Sequence, residues 1–324
     1  MTTIGTPLMW TVFVVLILVA LAVDLLVLQR NGAHKVSTRE ALLWSIAWIA
    51  LAMLFNLGLW WYLGTTLPPA DAQRISMEFL TGYLVEKALA VDNIFVFLMV
   101  FGYFAVPAEQ QQRALIIGII GAIVLRAILI FIGAALIAQF HWILYVFGVF
   151  LVLTGAKMLF SAGDPPSLDD NPALKLMRRH LKLTDRFHGN ALVVREGGIR
   201  RYTPLFVVMI LIAVTDVIFA VDSIPAIFAI TTDPFIVLTS NVFAVLGLRA
   251  LYFLLAGMAE KFHLLGYGLA LVLVFIGTKM LIVDVYKIPI GIALGVVALL
   301  VGGAMLASVL MPKKEPPAQP PGVG

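Results

Sequence analysis

The chain of 324 residues contains no cysteine, and only 12% of its residues are charged. The absence of cysteine excludes disulfide bonds, thiolate metal ligands and a thiol nucleophile. The shortage of charge excludes an ordinary soluble domain, in which about a quarter of the residues are charged. The chain is instead 62% hydrophobic, and apolar runs of about 18 residues or more, each long enough to cross a bilayer, follow one another along most of it. The composition therefore predicts an all-α polytopic membrane protein.

Hydropathy and the loop residues between the apolar runs predict nine transmembrane helices. We expect them at 8–28, 41–63, 77–105, 114–138, 142–162, 203–230, 235–258, 265–284 and 289–311. The first run is too long for the core of a signal peptide, so we interpret it as a span and not as a cleaved leader. The tail at 312–324 is rich in proline and glycine, a composition that predicts disorder.

Lysine and arginine in the loops predict the orientation of the chain. They cluster after the first span, in the connector 163–202 and after the ninth span, whereas the opposite loops, 64–76 and 231–234, contain Arg74 alone. The positive-inside rule then places the N-terminus outside and the C-terminus in the cytoplasm. The net charge of +4 arises from these loops, so it does not indicate nucleic-acid binding. We interpret the connector as a solvated cytoplasmic link, with a regulatory segment as the alternative.

Two acidic motifs lie inside the apolar runs. The first extends from Glu86 to Asn93 and the second from Asp216 to Ser223. In each motif two carboxylates stand six residues apart and a small polar residue follows the second. A carboxylate at the centre of a membrane helix costs roughly 3 kcal/mol. Four of them therefore require compensating charge, and we expect them to have a function.

Alignment of the two motifs reveals an internal repeat with further matches in the same order. These are Arg126-Ala with Arg249-Ala, Phe140-His with Phe262-His, and Gly155-Ala-Lys-Met with Gly277-Thr-Lys-Met. The units 77–162 and 203–286 each cover three spans. Because three is odd, the second unit enters the membrane from the opposite side, which predicts two inverted repeats and a substrate site near the midplane, as in many secondary transporters. The spans in 1–76 and 287–311 are then peripheral.

The motif residues predict a site for a hard divalent cation. Carboxylate, amide and hydroxyl oxygens suit magnesium, calcium or manganese, whereas the five histidines lie in loops or at span ends. An intact helix spreads these side chains over a wide arc, so we expect a break near 90–92 and freed carbonyls near Pro225. The expected metal ligands are Glu86, Asp92, Asn93, Asp216, Asp222 and Ser223.

Buried cations offer a structural interpretation of the same acids. Arg126, Arg249 and Lys87 are placed to neutralise them in buried ion pairs. In the functional alternative, Arg126 and Arg249 compensate the carboxylates when the metal leaves. Asp24 lies near the predicted cytoplasmic end of the first span, and we interpret it as an interfacial acid.

These motifs and the run from Thr232 to Asn241 resemble those of the TerC family of membrane proteins, and within it those of the alkali-inducible Alx branch. The resemblance extends from Gly5 to about Leu310. It implies an inner-membrane location and metal-ion transport, and manganese efflux is the activity attributed to Alx-like members. The family's older name comes from tellurium resistance.

The family's acidic positions match four residues of this sequence and leave one difference. The matched residues are Glu86, Asp92, Asp216 and Asp222. Alx-like members carry a glutamate three residues before the first aspartate of the second motif, where this chain has Ala213. If that glutamate is a metal ligand in the family, the resemblance implies a site with one ligand fewer and a changed ion preference or affinity.

We therefore predict an inner-membrane exporter of a divalent cation, in the first place manganese, with proton entry as a way to empty an acidic site. The expected partners are the cation and the lipid bilayer, with no resident cofactor and no nucleic acid. The alternative is a non-transporting membrane component of a metal or tellurite stress-response complex. We do not expect an enzyme, because the chain has neither a Gly-x-Ser-x-Gly nor a His-Glu-x-x-His pattern.

Overall fold

The computed structural model describes residues 3–31, 37–140, 142–161, 172–184, 186–196, 198–256 and 264–311. Within its helices, the side chains of residues 27–31, 91, 92, 95, 108, 161 and 222 are not described. The predicted disordered tail and the repeat landmarks His141, Phe262 and His263 lie outside the described residues.

The described chain folds into helices, with one small antiparallel hairpin between β1 (Val193–Glu196) and β2 (Ile199–Tyr202). The helices are α1 (Pro7–Asn31), α2 (Thr38–Gly64), α3 (Pro69–Tyr103), α4 (Ala108–Gln139), α5 (Ile143–Ser161), α6 (Pro172–His180), α7 (Pro204–Phe228), α8 (Pro234–Leu246), α9 (Leu248–Ala256), α10 (Leu265–Leu281) and α11 (Ile290–Leu310).

Six of the described helices are long and apolar enough to cross a membrane, namely α1, α2, α4, α5, α7 and α11. Helices α8 and α9 add a seventh span if the bent pair is counted as one. Helix α3 has 35 residues but carries the charges of the first acidic motif, and α10 has 17 residues. The fold is therefore that of an all-α membrane protein, with six or seven helices of suitable length and hydropathy where the sequence predicts nine.

Local sequence fixes the starts of two central helices. Thr203 is the N-cap of α7 and accepts from the amide of Phe206, while Asp233 is the N-cap of α8 and accepts from the amides of Phe235 and Ile236. A proline follows each cap at the first helical position, where its missing N–H costs nothing. These fixed starts set the positions of the polar side chains further along both helices.

Helix α8 forms the centre of the molecule. All 13 of its residues are buried, and it packs against α2, α3 and α4. The hydroxyl groups of Thr239 and Ser240 donate hydrogen bonds to backbone carbonyl oxygens one turn earlier, each at 2.8 Å. Asn241 follows them, and its amide is free to reach a neighbouring helix.

The discontinuity in the fold lies outside the two motif helices. Helix α3 runs unbroken through 90–92, so the break predicted there is wrong. Helix α7 continues through Pro225, whose missing N–H leaves one carbonyl of the preceding turn without its helical donor. The motifs stay helical because α3 and α7 pack against each other and against neighbouring helices. The backbone bends instead between α8 and α9, by 40° at Gly247.

Lys87 stabilises this bend. Its ammonium group donates to the carbonyl oxygen of Ala244 at 3.1 Å, in the last turn of α8. A cation at the carbonyl end of a helix is favoured by the helix dipole and satisfies a carbonyl that the break leaves without a helical partner. The described hydrogen bond of Lys87 thus goes to a carbonyl, and not to a motif carboxylate as the structural interpretation required. A Cβ at Gly247 would lie 2.6 Å from the ammonium nitrogen.

Helices α5 and α10 pack closely through matched positions. A Cβ on Gly155 would lie 2.7 Å from the carbonyl oxygen of Ala270 and 3.0 Å from the amide nitrogen of Val274. A Cβ on Gly277 would lie 2.7 Å from the carbonyl oxygen of Gly148 and 2.9 Å from the amide nitrogen of Val152. The three pairs, 155 with 277, 148 with 270 and 152 with 274, share one sequence separation of 122 residues. The two helices therefore contribute residues at equivalent positions to both halves of the contact.

The connector is folded where the structure describes it. Leu174 and Met177 of α6 are buried, in a cluster that also contains Phe101 at the end of α3 and Leu205 at the start of α7. The interpretation of 163–202 as a solvated link is wrong for α6, because its apolar face is buried in this cluster, whereas the hairpin is largely exposed. Residues 162–171 lie outside the described residues.

Candidate cation site

Arg126 of α4 is at the centre of a buried polar cluster. The arginine and Glu86 of α3 have no exposed surface, and Asp216 of α7 is 5% exposed. One terminal nitrogen of Arg126 donates to Glu86 and, at 3.2 Å, to the side-chain oxygen of Asn241; the other donates to Asp216, also at 3.2 Å. Four helices therefore meet at a single guanidinium group.

The cluster lies in the middle of the helices that build it. Glu86 is 17 residues from each end of α3 and Asp216 is 12 residues from each end of α7. Arg126 is 13 residues from the nearer end of α4, a distance of about 20 Å at 1.5 Å per residue. The arginine is too deep for its side chain to extend to an aqueous interface, so its charge has to be satisfied inside the protein.

Small residues bring α4 and α7 together on both sides of Arg126. A Cβ on Gly118 would lie 3.2 Å from Ile212, and one on Gly133 would lie 2.7 Å from Phe228. Both contacts advance along the two helices in the same direction, so α4 and α7 run parallel. Because α3 leads into α4 through a short turn and contacts it again at Arg126, α3 runs antiparallel to α7. The two acidic motifs therefore face each other in opposite chain directions.

The cluster is incompletely satisfied. Glu86 Oε2, Asp216 Oδ2, Asn241 Nδ2 and Arg126 Nε are buried and have no hydrogen-bond partner in the described structure. With both carboxylates ionised, one guanidinium leaves a formal charge of −1. Unpaired buried polar groups carry a desolvation cost of roughly 1 to 3 kcal/mol each, so the two free carboxylate oxygens favour a further cation or proton.

A cavity of about 50 Å³ lies between α3, α5, α7 and α10. Two pairs of its lining residues occupy equivalent positions of the acidic motifs, Leu89 with Phe219 and Asn93 with Ser223. Thr154 adds a further hydroxyl, and Met158 and Leu273 complete the lining. The Ser223 hydroxyl is buried without a partner. The cavity has room for a few water molecules, since one needs roughly 10 to 15 Å³ measured in this way.

The structure thus brings the predicted ligands together in two groups. Glu86 and Asp216 meet at Arg126, and Asn93 and Ser223 meet at the cavity. The side chains of Asp92 and Asp222 are not described, although their backbones lie in α3 and α7 next to Asn93 and Ser223. No group of three or more histidine, aspartate and glutamate side chains converges in the part that is described.

Asn241 belongs to the cluster although the sequence analysis did not select it. Its side-chain oxygen accepts from Arg126 at 3.2 Å. The signal was present, because Thr239, Ser240 and Asn241 are three consecutive polar residues in an otherwise apolar span.

Arg249, the repeat equivalent of Arg126, has a different partner. It donates to Asp24 of α1, and these two residues are 8% and 6% exposed. Arg249 contacts neither Glu86 nor Asp216 and does not compensate them. The interpretation of Asp24 as an interfacial acid is likewise corrected, because the pair buries it between α1 and α9. An apolar groove of about 640 Å³ opens between α1 and α2, and its lining includes Val23, the residue before Asp24.

Residues 71–316 match the model of the "Integral membrane protein TerC family". The chain is 57% identical over 297 residues to the "Putative membrane-bound redox modulator Alx" of Escherichia coli (strain K12), an alignment that covers 92% of each protein. It is 54% identical to the protein of that name from Photorhabdus laumondii, over 97% of this chain and 98% of the relative.

More distant relatives are also similar along nearly their whole length. An "Uncharacterized membrane protein" of Rickettsia felis is 39% identical over 93% of this chain and 97% of its own. No solved structure matches the chain significantly. The family match covers most of the chain, and the relatives align with 92% or more of it. The chain therefore belongs to the TerC family of integral membrane proteins.

Proposed function

We propose that the protein transports a divalent metal cation across the inner membrane, with manganese as its main substrate, and that it exports this ion. One observation carries the proposal: Glu86 and Asp216, at equivalent positions of two acidic motifs, converge on one buried arginine at the midpoints of two antiparallel helices. A purely structural cluster needs no such correspondence between the motifs, whereas a midplane substrate site between inverted repeats does.

Two inverted repeats within nine spans are part of this proposal. The units 77–162 and 203–286 then contribute three spans each, with α3 and α10 counted as spans and α8 with α9 as one. Support comes from the antiparallel directions of α3 and α7 and from the matched glycine contacts between α5 and α10. A two-fold axis in the membrane plane produces both features.

The ligand chemistry favours a hard cation. Glu86 Oε2, Asp216 Oδ2 and the Ser223 hydroxyl are buried oxygens without a hydrogen-bond donor, and Asn93 offers an amide beside the cavity. We propose that Asp92 and Asp222 complete the set. Oxygen donors of this kind suit manganese and magnesium, and the missing cysteines rule out a thiolate site for softer ions.

In this proposal Arg126 replaces the metal when the site is empty. Its guanidinium group contacts both carboxylates, and its single positive charge leaves the cluster with a net charge of −1. An arriving divalent cation supplies two charges to the same two carboxylate groups through their free oxygens, so the cation and the arginine compete for the charge of Glu86 and Asp216. A proton on either carboxylate neutralises the remaining charge, which gives proton entry a direct means of releasing the metal.

The names of the relatives raise an alternative function. The Escherichia coli relative is named a redox modulator, and a non-transporting component of a metal or tellurite stress-response complex fits that name. Because this chain has no cysteine, thiol–disulfide exchange by its own residues is excluded. An influence on redox state would then act through a partner or through the metal ion that is moved.

Flux measurements test the proposal. Purified protein in liposomes should carry manganese, and a pH gradient should change the rate. Glu86→Gln and Asp216→Asn should abolish the flux, while Asp71→Asn, which removes a half-exposed carboxylate from the same helix as Glu86, should leave it intact. Absence of flux in the wild-type protein would favour the non-transporting alternative. Full flux in Glu86→Gln would overturn the site.

The orientation needs its own measurement. We propose that the N-terminus is outside and the C-terminus in the cytoplasm, on the basis of loop charge. Reporter fusions at Lys182 and Lys314 should then report cytoplasm, and one at Ala70 should report the outside. A cytoplasmic signal at Ala70 would contradict the inverted repeat.

A further inference from the structure

Two arginines lie directly opposite each other on the β-hairpin of the connector. The strands pair Arg195 with Arg200, and both side chains are exposed. Residues opposite each other in an antiparallel pair have Cβ atoms about 5 Å apart, and like charges at such a position destabilise the hairpin. The hairpin therefore concentrates two positive charges on one face.

The neighbouring carboxylate does not neutralise this pair. Glu196 lies near Arg201 at 3.7 Å and near His188 at 3.3 Å. Arg195 and Arg200 contact no carboxylate in the part of the chain that the structure describes. Val193, two residues from Arg195 and so on the same face of the strand, is 44% exposed. The face thus combines two unpaired guanidinium groups with an apolar side chain.

The hairpin is also close to the membrane. Strand β2 ends at Tyr202, one residue before the N-cap of α7, and the Tyr202 ring packs on Phe206 of that helix at 4.6 Å between centroids. Arg200 precedes the first residue of α7 by four positions, which is about 13 Å even in a fully extended chain. An arginine side chain at that distance reaches the headgroup layer of the bilayer.

We infer that Arg195 and Arg200 bind the phosphate of an anionic phospholipid headgroup in the leaflet at the N-terminal end of α7. The planar guanidinium group matches a phosphate through two parallel hydrogen bonds, and the lipid charge removes the repulsion between the two arginines. Val193 would lie against the upper part of the acyl chains. This inference is independent of the transported ion.

Native mass spectrometry and melting curves of the full-length protein test the inference. Short-chain phosphatidylglycerol should bind and raise the melting temperature, whereas short-chain phosphatidylcholine should do neither. In Arg195→Gln/Arg200→Gln the phosphatidylglycerol affinity should fall roughly tenfold or more, since each basic residue near an anionic surface changes affinity about fivefold. Arg195→Lys/Arg200→Lys should bind with intermediate affinity, because lysine keeps the positive charge but lacks the two parallel N–H donors of the guanidinium group.

A matched control separates a built site from general attraction. Arg39→Gln/Arg113→Gln removes two exposed arginines at the N-terminal ends of α2 and α4. The proposed orientation puts them on the same side of the membrane as the hairpin, and this variant should bind phosphatidylglycerol like wild type. Equal losses in both double variants would overturn the inference. Equal binding of inorganic phosphate would assign the pair to a soluble anion and also overturn it.

The folding state of the variant has a separate readout. Because the substitution removes a repulsion, Arg195→Gln/Arg200→Gln should melt at or slightly above the wild-type temperature in phosphatidylcholine. It should melt below wild type in phosphatidylglycerol. The same order of melting temperatures in both lipids would contradict the inference.

Discussion

Arg126 and Arg249 hold equivalent positions in the two repeat units, yet their surroundings differ. Arg126 is fully enclosed and binds three side chains from three helices, whereas Arg249 follows the bend at Gly247 and binds Asp24 of the outer helix α1. The internal sequence repeat has an arginine at both positions, 126 and 249. The helices packed around each one then decided whether it joined the acidic site or attached a peripheral helix to the core.

The largest expected effect separates these two arginines. Arg126→Ala leaves Glu86 and Asp216 buried without a counter-charge, and breaking a buried ion pair costs about 3 to 5 kcal/mol of stability. We expect a correspondingly lower melting temperature without metal. Manganese at about 100 times its dissociation constant should restore up to about 2.7 kcal/mol.

Arg126→Lys provides the control for this prediction. It keeps a positive charge near both carboxylates and should melt between wild type and Arg126→Ala. If Arg126→Ala melts like wild type without metal, the carboxylates must be neutralised by protons and the charge competition proposed above is wrong.

Arg249→Ala should have a smaller effect that does not depend on metal. It leaves Asp24 unpaired, at a cost on the order of 2 kcal/mol because the pair retains some exposed surface. Adding Asp24→Asn should recover part of the loss, and manganese should recover none of it. If manganese rescues Arg249→Ala as well as Arg126→Ala, both arginines serve the metal site and the contrast between them fails.

The contact between α5 and α10 offers the opposite case, in which the two repeat units should behave alike. Gly155→Ala and Gly277→Ala each place a methyl group 2.7 Å from a backbone oxygen, and overpacking of this kind costs about 1 to 3 kcal/mol. We expect similar falls in melting temperature for the two variants. Gly302→Ala, where the methyl meets nothing within 4 Å, should not destabilise. Clearly unequal losses at 155 and 277 would argue against a two-fold axis.

The smallest expected effect concerns the residues that follow the acids. Ser223→Ala removes a buried hydroxyl that has no partner in the described structure, so its loss should cost little stability and weaken manganese binding about three- to tenfold, corresponding to one hydrogen bond or ligand contact. Asn93→Ala should weaken binding to a similar degree. Calorimetry on both variants checks this, and wild-type affinity in both would remove the cavity from the site.

The helical membrane fold could be predicted because it depends on local sequence. Long apolar runs indicate membrane helices wherever they occur, and the caps at Thr203 and Asp233 lie close to the predicted starts of their spans. The family could also be identified from the motifs. The bend could not, because Pro225 is a stronger local signal than Gly247. The hydrogen bond that stabilises the bend joins Lys87 to Ala244, 157 residues further along the chain, so local sequence does not reveal it.

The candidate site was only partly predictable for a related reason. The sequence predicts that Glu86 and Asp216 share a site, because they hold equivalent positions of the two acidic motifs, and both carboxylates contact Arg126 in the structure. The partners of Arg249 and Lys87 depend on which helices lie beside them, and hydropathy does not contain that information. Asn241 was missed because it lies outside both acidic motifs, and the polar run from Thr239 to Asn241 does not by itself tell which neighbouring helix its members contact.

The symmetric contact between α5 and α10 has a consequence for how the protein is made. Gly155 and Gly277 are separated by 122 residues, and synthesis at about 5 to 20 residues per second delays α10 by roughly 6 to 24 s after α5. During that interval the glycine face of α5 is in the bilayer without the helix that fits it. A ribosome pause between the two helices would lengthen the time for which the glycine face of α5 lacks its partner.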